Sequence, residues 1–197
     1  MARSAATIVE AAGNVGALSH DIKPVHPSFK VWGPAVTVAT PSGDNLWVHR
    51  GVAAAGPGSV LVVSTGNGEP AGYWGEILSQ AAVARGLGGV VLDGCARDGE
   101  RLVDIGFPVF CRGLCIRGTT KDRAGAGSVG RHVNVGGVSV RPGDLVVGDV
   151  DGVVVVAAER VEQVLMSAGE RDRKEARIVE ELLNGATTVE IFDLGVD

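Results

Sequence analysis

Residues 75–98 constrain the fold more than any other part of the sequence. In their first half, apolar side chains recur at the spacing of a helix and polar side chains occupy the other faces, which predicts a helix. Their second half contains an unbroken apolar run at residues 89–92, typical of a strand buried on both faces, and Asp93 and Gly94 then favour a turn. A helix that leads directly into a buried strand predicts part of a β-α-β unit, and with it a parallel sheet.

Charged residues follow two strands of this predicted sheet. Glu76 comes after one strand, and Arg97 and Asp98 come after the next. Because ligands of open parallel sheets bind outside the carboxyl ends of the strands, these three side chains are expected at the ligand-binding edge. The pattern alone also fits a second interpretation, in which Arg97 and Asp98 are solvated surface charges.

The predicted helix start offers a site for an anion. If the helix begins near Gly75, the N–H groups of Ile77 and Leu78 have no partners within the helix and can hold a carboxylate. The guanidinium of Arg97 can add a bidentate clamp to the same anion. A protein carboxylate beside a guanidinium and a helix N-terminus predicts a divalent metal that is bound together with an anionic substrate.

Twenty residues separate Glu76 from the Arg97-Asp98 pair. This spacing resembles the acidic-X20-Arg-Asp signature of the class II, metal-dependent pyruvate aldolases, which act on 4-hydroxy-4-methyl-2-oxoglutarate and 4-carboxy-4-hydroxy-2-oxoadipate and are related to the RraA regulators of RNase E. Members of that family often have Asp where this chain has Glu76. The resemblance extends over nearly the whole chain and is carried by the segments TIVEAAGNVGAL, GPAVTV, SGDNLWVH, GYWGEIL, FPVF and VRPGDLVVGDVDGVVVV.

The resemblance implies a fold and an assembly. The fold is the three-layer β/β/α swivelling-type domain that the aldolases share with RraA, formed here by residues 1–197 as one domain. The subunits would assemble as a homotrimer or homohexamer with active sites between protomers, and the C-terminal helix, residues 159–184, would reach a neighbouring protomer. In similar aldolases an acidic residue of that helix completes the adjacent site. It corresponds to Glu175, with Asp172 and Glu170 as alternatives.

The resemblance also implies a retro-aldol reaction that releases pyruvate. Mg²⁺ or Mn²⁺ is the expected cofactor, with Asp98 as its direct ligand. Arg97 would bind the pyruvyl oxygens and the developing enolate, and the amides of Ile77 and Leu78 would fix the substrate carboxylate. Glu76 would hydrogen-bond waters that shuttle protons. Decarboxylation of oxaloacetate is an expected side activity, because it passes through the same enolate.

A second group of residues is expected at the far end of the substrate. The resemblance implies that Asn45 and His49, near the start of a predicted helix, contact the distal part of the substrate, although a lone histidine at a helix start is more often a capping or packing residue. A second substrate carboxylate could pair with Arg117 or Lys121 of a glycine-rich loop, or with Arg173 of a neighbouring protomer. Arg117 and Lys121 also fit the role of solvated surface charges, and the sequence leaves the choice open.

Composition limits the partners and the compartment. A net charge of −5 gives no electrostatic reason to expect nucleic-acid binding. The three cysteines have no CxxC spacing, which indicates reduced thiols. Neither a sustained apolar N-terminal region nor an apolar stretch of membrane-spanning length is present, so the sequence predicts a cytoplasmic protein without membrane partners.

One alternative function belongs to a different class. RraA-like regulators share the implied fold, so the chain could be a non-catalytic protein that binds and inhibits a ribonuclease. The residue that discriminates between the two functions is Asp98, because the regulators tend to lose the acidic residue after the arginine. Its presence favours the aldolase.

Other patterns predict local structure. From Ser4 the residues fit an amphipathic helix that ends near Gly13 or Gly16, and residues 29–40 indicate two strand pieces interrupted by a bend. Strand signals cover residues 133–140, and residues 149–156 indicate a hairpin whose aspartates serve the turn rather than a metal. The glycine-rich residues 66–72 are expected to form a flexible rim that admits the substrate.

Overall fold

The computed structural model describes residues 3–66 and 70–195. Within these residues the chain folds around one large sheet, and helices and a small hairpin cover its faces. The elements, numbered in chain order, are α1 Ala5–Ala11, β1 Lys23–Pro24, β2 Val31–Ala39, α2 Leu46–Ala54, β3 Val60–Ser64, β4 Gly72–Trp74, α3 Glu76–Ala84, β5 Gly89–Asp93, β6 Cys95–Ala96, α4 Gly99–Ile105, β7 Val109–Cys111, β8 Ser128–Val129, β9 Val133–Val135, β10 Val138–Val140, β11 Leu145–Asp149, β12 Gly152–Val156, a 3₁₀ turn Ala158–Arg160, α5 Val161–Leu183 and α6 Thr188–Ile191.

The central sheet has the strand order β1-β7-β5-β3-β2-β11-β12, with β8 added against β2. Strands β2, β3, β5 and β7 run parallel, whereas β1, β11 and β12 run antiparallel to their neighbours. Helices α2, α3 and α4 pack on one face and the β9–β10 hairpin packs on the other, while α1 and α5 cover β11 and β12. This layering confirms the predicted three-layer β/β/α fold class.

Strand β2 is continuous, so the predicted break within residues 29–40 is wrong. The strand changes partners instead, pairing antiparallel with β11 up to Pro34 and parallel with β3 from Ala35 onward. Pro34 has no N–H to donate, and the N–H of Ala35 donates to the carbonyl of Asp144 at 2.8 Å. Gly33 allows a close approach to the turn before β3, because an added Cβ would lie 2.2 Å from the carbonyl oxygen of Gly58.

The strand signals of residues 133–140 are confirmed, and the residues form two strands joined as a hairpin. Strands β9 and β10 pair antiparallel, with Val135 opposite Val138. The glycines between them, Gly136 and Gly137, have φ angles of 55° and 82°. Two consecutive residues in the left-handed region make the tight turn that matches the twist of a hairpin, and glycine adopts this conformation at little cost.

The second predicted hairpin, at residues 149–156, is confirmed by the pairing of β11 with β12. The Asp149 carboxylate accepts the N–H of Asp151 at 3.0 Å and the N–H of Ala5 at 2.8 Å. Asp149 therefore stabilises the turn, as predicted for the hairpin aspartates, and it also stabilises the start of α1.

Several short helices and strands were not predicted from the sequence. Helix α4 has seven residues and buries only Leu102, so it shows no apolar periodicity. Strands β4 and β6 have three and two residues. Helix α6 has four residues, and its start is fixed by reciprocal hydrogen bonds between Thr187 and Glu190. Elements of this length depend on tertiary contacts and local capping rather than on a repeating pattern.

The predicted long C-terminal helix is confirmed as α5. Its first half buries Val164 and Ala168 against α1 and the sheet. From Glu170 onward most side chains are exposed, including Val179 at 53% and Leu183 at 83%. Contact between this segment and a neighbouring protomer stays a prediction. No helix of the described residues has the apolar length that a membrane crossing requires.

Candidate active site

A cleft of about 160 Å³ opens beyond the carboxyl ends of the parallel strands, where the starts of α2 and α3 meet the loop that follows β7. Its lining consists of Asn45, His49, Gly72, Tyr73, Gly75, Glu76, Ile77, Leu78, Arg97, Asp98 and Lys121. Every residue predicted for the site within one chain is in this set. The structure does not bring Glu175 to the cleft of its own chain. Glu175 lies on the exposed part of α5 and pairs with Arg171 at 2.9 Å, so its role in a neighbouring site stays a prediction.

A buried tryptophan anchors the two segments that carry the charged residues. Trp74 is fully buried, stacks on Phe107 with ring centroids 5.7 Å apart, and donates its indole N–H to the hydroxyl of Ser79 at 2.7 Å. Its carbonyl accepts the N–H of Arg97 at 2.8 Å, which extends the pairing of β4 with β6. The backbone of Arg97 is therefore anchored to β4, and its side chain extends from a position beside the start of α3.

Helix α3 begins as predicted, with Gly75 as its N-cap. The N–H of Glu76 donates to Oδ2 of Asp98 at 3.1 Å. The N–H groups of Ile77 and Leu78 belong to the first turn and have no acceptor within the helix, and both residues line the cleft. An anion in the cleft would meet these two amides at the positive end of the helix dipole.

Gly75 is needed for the close contact between this helix start and Asp98. A Cβ added to Gly75 would lie 2.4 Å from Oδ2 of Asp98 and 3.2 Å from Cγ of Arg97. Gly72 is similarly crowded, since its Cβ would lie 2.9 Å from Cβ of Arg97. The two glycines allow the Arg97-Asp98 pair to lie directly against the backbone of β4 and the N-cap.

The Arg97-Asp98 pair is open to solvent and to ligands. Nε of Arg97 lies 3.8 Å from Oδ2 of Asp98, and the two side chains are 49% and 40% exposed. Asp98 has φ 61° and ψ 40°, a left-handed conformation that Asp and Asn adopt more readily than other residues with a side chain. Uncommon backbone conformations of this kind are concentrated at functional sites, and here the conformation turns the carboxylate toward the helix start.

The acidic side chains fit a hard divalent cation that keeps most of its water ligands. In the described part of the chain, Oδ1 of Asp98 accepts no hydrogen bond, whereas Oδ2 is engaged by Glu76 N–H. The carboxylate of Glu76 lines the same cleft. No group of three His, Cys, Asp or Glu side chains suited to a metal occurs among residues 3–66 and 70–195. The residue that could hold such a cation is Asp98, because Mg²⁺ and Mn²⁺ take oxygen ligands and Mg²⁺ usually keeps several waters.

The distal end of the cleft contains an unsatisfied acceptor. Asn45 is only 7% exposed, and its Nδ2 donates to the carbonyl of Tyr73 at 3.1 Å. Its Oδ1 is buried and has no hydrogen-bond partner in the described residues. Because buried polar atoms in proteins are nearly always paired, this oxygen is suited to accept a hydrogen bond from a ligand hydroxyl.

The charges at this end are set by Lys121. Burial and the positive charge of Lys121 lower the pKa of His49 below its ordinary value, against the opposing effect of Asp44. His49 is therefore a neutral imidazole at pH 7, and Lys121 supplies the cation. The sequence did not decide whether Arg117 or Lys121 pairs with a second substrate carboxylate. Lys121 lines the cleft. Arg117 is outside the lining set, and its carbonyl accepts the N–H of Gly72 at 2.8 Å.

Two residues were not predicted as functional, Tyr73 in the lining of the cleft and Asp44 next to it. Tyr73 is almost fully buried, and its hydroxyl accepts the N–H of Gly43 at 2.8 Å. Asp44 is a buried carboxylate between Gly43 and Asn45. Both lie inside segments that carry the family resemblance, but no pattern in the sequence marks either one. Part of the predicted flexible rim, residues 67–69, lies outside the described residues.

Solved structures share this fold over most of their length. An uncharacterized protein from Pseudomonas syringae superposes with a TM-score of 0.82 at 28% identity, covering 92% of this chain and 85% of that one. RraAS2 from Streptomyces coelicolor, described as an unusual member of the RNase ES inhibitor RraA protein family, superposes with a TM-score of 0.78 at 27% identity, covering 91% and 93%. The architecture is that of the RraA-like proteins.

Sequence comparison identifies the family. The family model described as RraA-like, Aldolase/RraA, matches residues 5–155. A protein from Halalkalibacterium halodurans with the provisional name 4-hydroxy-4-methyl-2-oxoglutarate aldolase is 39% identical over 151 residues, covering 77% of this chain and 71% of the relative. The chain therefore belongs to the RraA-like family of aldolases and RraA proteins.

Proposed function

We propose that this protein is a class II pyruvate aldolase, which cleaves a 4-hydroxy-2-oxo dicarboxylic or tricarboxylic acid into pyruvate and a second oxo acid. Oxaloacetate decarboxylation is the proposed side activity. The observation that carries the proposal is the meeting of an open helix N-terminus, Arg97 and Asp98 in one cleft. The names of the relatives support the same reaction class.

Cleavage between C3 and C4 leaves an enolate of pyruvate, whose negative charge develops on the C2 oxygen. Arg97, which lines the cleft, would donate to that oxygen and to the neighbouring carboxylate, and the amides of Ile77 and Leu78 would hold the same carboxylate. These donors are anchored by the backbone of β4, β6 and α3. They need little reorganisation when the charge appears, which is the condition under which such donors are most effective.

Asp98 would hold Mg²⁺ or Mn²⁺ through Oδ1, and Glu76 would order the surrounding waters. The bound ion would act as a Lewis acid toward the 2-oxo group. Glu76 would position the water that takes the proton from the C4 hydroxyl and later returns a proton to C3. We propose Glu175 of a neighbouring protomer as a further acidic group, in a homotrimer or homohexamer.

The distal residues complement the other half of such a substrate. Asn45 Oδ1 would accept a hydrogen bond from a hydroxyl, and Lys121, which lines the cleft, would pair with a second carboxylate. His49 can approach the same carboxylate without adding charge, because its pKa is lowered.

The similarity to RraAS2 supports a second candidate, a non-catalytic regulator that binds a ribonuclease. An Arg97-Asp98 pair with a free carboxylate oxygen is not needed for such a role, whereas the aldolase requires it. A stable complex with a ribonuclease, formed by protein that releases no pyruvate, would favour the regulator.

The test of the proposed function is pyruvate release, coupled to lactate dehydrogenase, from oxaloacetate and from 4-carboxy-4-hydroxy-2-oxoadipate. We expect release with Mg²⁺ or Mn²⁺ and at least about a tenfold decrease after EDTA treatment, because enolate stabilisation then loses its Lewis acid. Re-addition of the metal should restore the rate. Folded, metal-supplied protein that releases pyruvate from neither compound would count against the proposal.

The close contact at Gly75 makes a further prediction. We expect Gly75→Ala to lower kcat/KM for pyruvate release by roughly tenfold to 10²-fold, because the methyl group would displace the Asp98 carboxylate from the helix start. Gly56→Ala is the matched control, since nothing lies within 4 Å of a Cβ added there. Equal kcat/KM values in the two variants would show that the contact is not needed.

A further inference from the structure

Asp44 is a buried carboxylate next to the cleft that the proposed reaction does not use. It is 3% exposed and is not part of the cleft lining. Oδ1 accepts the N–H of Leu46 at 2.8 Å, while Oδ2 accepts the hydroxyl of Thr120 at 2.8 Å and the N–H of Asp122 at 2.5 Å. A buried carboxylate is costly unless its oxygens are paired, and here the donors come from two segments that meet beside the cleft.

Each of these two segments carries a side chain of the distal cleft. Asn45 follows Asp44 directly, and Lys121 lies between the two loop residues that donate to Oδ2. Backbone hydrogen bonds add to the connection: the N–H of Asn45 donates to Thr120 at 3.1 Å, and the N–H of Thr120 donates to Gly43 at 2.8 Å. The carboxylate therefore connects the start of α2 to the loop on both sides of Lys121.

The far end of the same loop is held by a different residue. The indole N–H of Trp47 donates to the carbonyl of Gly125 at 3.0 Å, and a Cβ on Gly127 would lie 2.3 Å from the Trp47 ring. Trp47 thus fixes the end of the loop, whereas Asp44 fixes the part that faces the cleft. Changes at Asp44 should move Lys121 without releasing the whole loop.

Asp44 stays ionised while it makes these contacts. Burial alone would raise its pKa, but the N–H groups of Asp122 and Leu46, the Thr120 hydroxyl and the charge of Lys121 together hold the pKa below its ordinary value. At neutral pH both oxygens are therefore acceptors, so all three donors are satisfied together.

We propose that Asp44 is a positioning residue that holds Lys121 at the distal end of the cleft and thereby selects substrates with a second carboxylate. This inference rests on the proposed function. Asp44 acts through the loop and does not touch the substrate. The reacting half of the substrate, bound by Arg97 and the start of α3, is independent of it.

The test is Asp44→Asn, which keeps the shape of the side chain. An amide has one oxygen, so its NH₂ group must face either the Leu46 N–H or the Asp122 N–H, and one of these donors is left unpaired. We expect KM for 4-carboxy-4-hydroxy-2-oxoadipate to rise about tenfold, because the distal carboxylate loses its cation. Deuterium exchange at C3 of pyruvate, followed by NMR with metal present, uses only the reacting half and should stay within about twofold of the parent rate.

Thr120→Val serves as a graded control, because it removes one of the three donors and keeps the shape of the residue. It should raise the same KM by a smaller factor and leave pyruvate exchange unchanged. Equal losses in both assays for Asp44→Asn, or no change in either, would overturn the positioning role.

Failure of the proposed aldolase function can be distinguished from failure of the positioning role of Asp44. In that case the parent protein itself would show no pyruvate exchange and no pyruvate release. The positioning claim is then decided by amide hydrogen exchange at residues 120–122, which should be faster in Asp44→Asn than in the parent, while α2 keeps its protection. Unchanged exchange in these residues would overturn it.

Discussion

Asp98→Asn is expected to lower metal-dependent pyruvate release by about 10³-fold, equivalent to ~4 kcal/mol of transition-state stabilisation. Asp98 brings a carboxylate to the cleft, and within residues 3–66 and 70–195 its Oδ1 accepts no hydrogen bond. Asparagine tolerates the left-handed backbone at this position, and its amide oxygen can still accept the N–H of Glu76. The variant therefore removes the charge and keeps the local fold.

A binding measurement separates loss of the metal from loss of catalysis. Titration calorimetry with Mn²⁺ should show binding to the parent protein and about 10²-fold weaker binding, or none, to Asp98→Asn. Asp104→Asn is the matched control, because Asp104 is an exposed carboxylate on α4 that lies 3.8 Å from Arg101. If Mn²⁺ bound Asp98→Asn as tightly as the parent, Asp98 would not be the metal ligand.

Local patterns account for the part of the site that the sequence predicted well. The helix and strand of residues 75–98 follow from apolar periodicity, and the helix start at Gly75 follows from the position of the first apolar turn. The Gly136-Gly137 hairpin was also open to prediction, because two glycines between alternating valines are a strong hairpin signal. The strand signals of residues 133–140 did not identify this turn, although the spacing of the valines shifts by one residue across the two glycines.

Other features depend on contacts between distant residues and leave no local trace. The left-handed backbone of Asp98 and its approach to Gly75 exist because β4 pairs with β6, two strands too short to be recognised in a sequence. Asn45 and Lys121 were identified as candidate substrate contacts from the family resemblance. Their shared support, the buried Asp44, becomes visible only when the loop after β7 is placed against α2.

Arg97→Ala is expected to cost on the order of 2–4 kcal/mol of transition-state stabilisation, or about 30-fold to 10³-fold in kcat/KM, as for other lost oxyanion donors. The guanidinium is half exposed and its pair with Asp98 is long, so it adds little to folding, and the unfolding free energy should change by less than about 1 kcal/mol. Most of the loss should appear in kcat, because the enolate charge exists only after the C3–C4 bond begins to break.

Arg97→Lys separates charge from geometry at the same position. Lysine keeps a positive charge but cannot donate two parallel hydrogen bonds to the C2 oxygen and the carboxylate. If the bidentate contact matters, Arg97→Lys should recover no more than about tenfold of the activity lost in Arg97→Ala, whereas full recovery would mean that a nearby charge is enough. Near-normal turnover in Arg97→Ala would remove the guanidinium from the mechanism altogether, and enolate stabilisation would then have to come from the start of α3 and the metal.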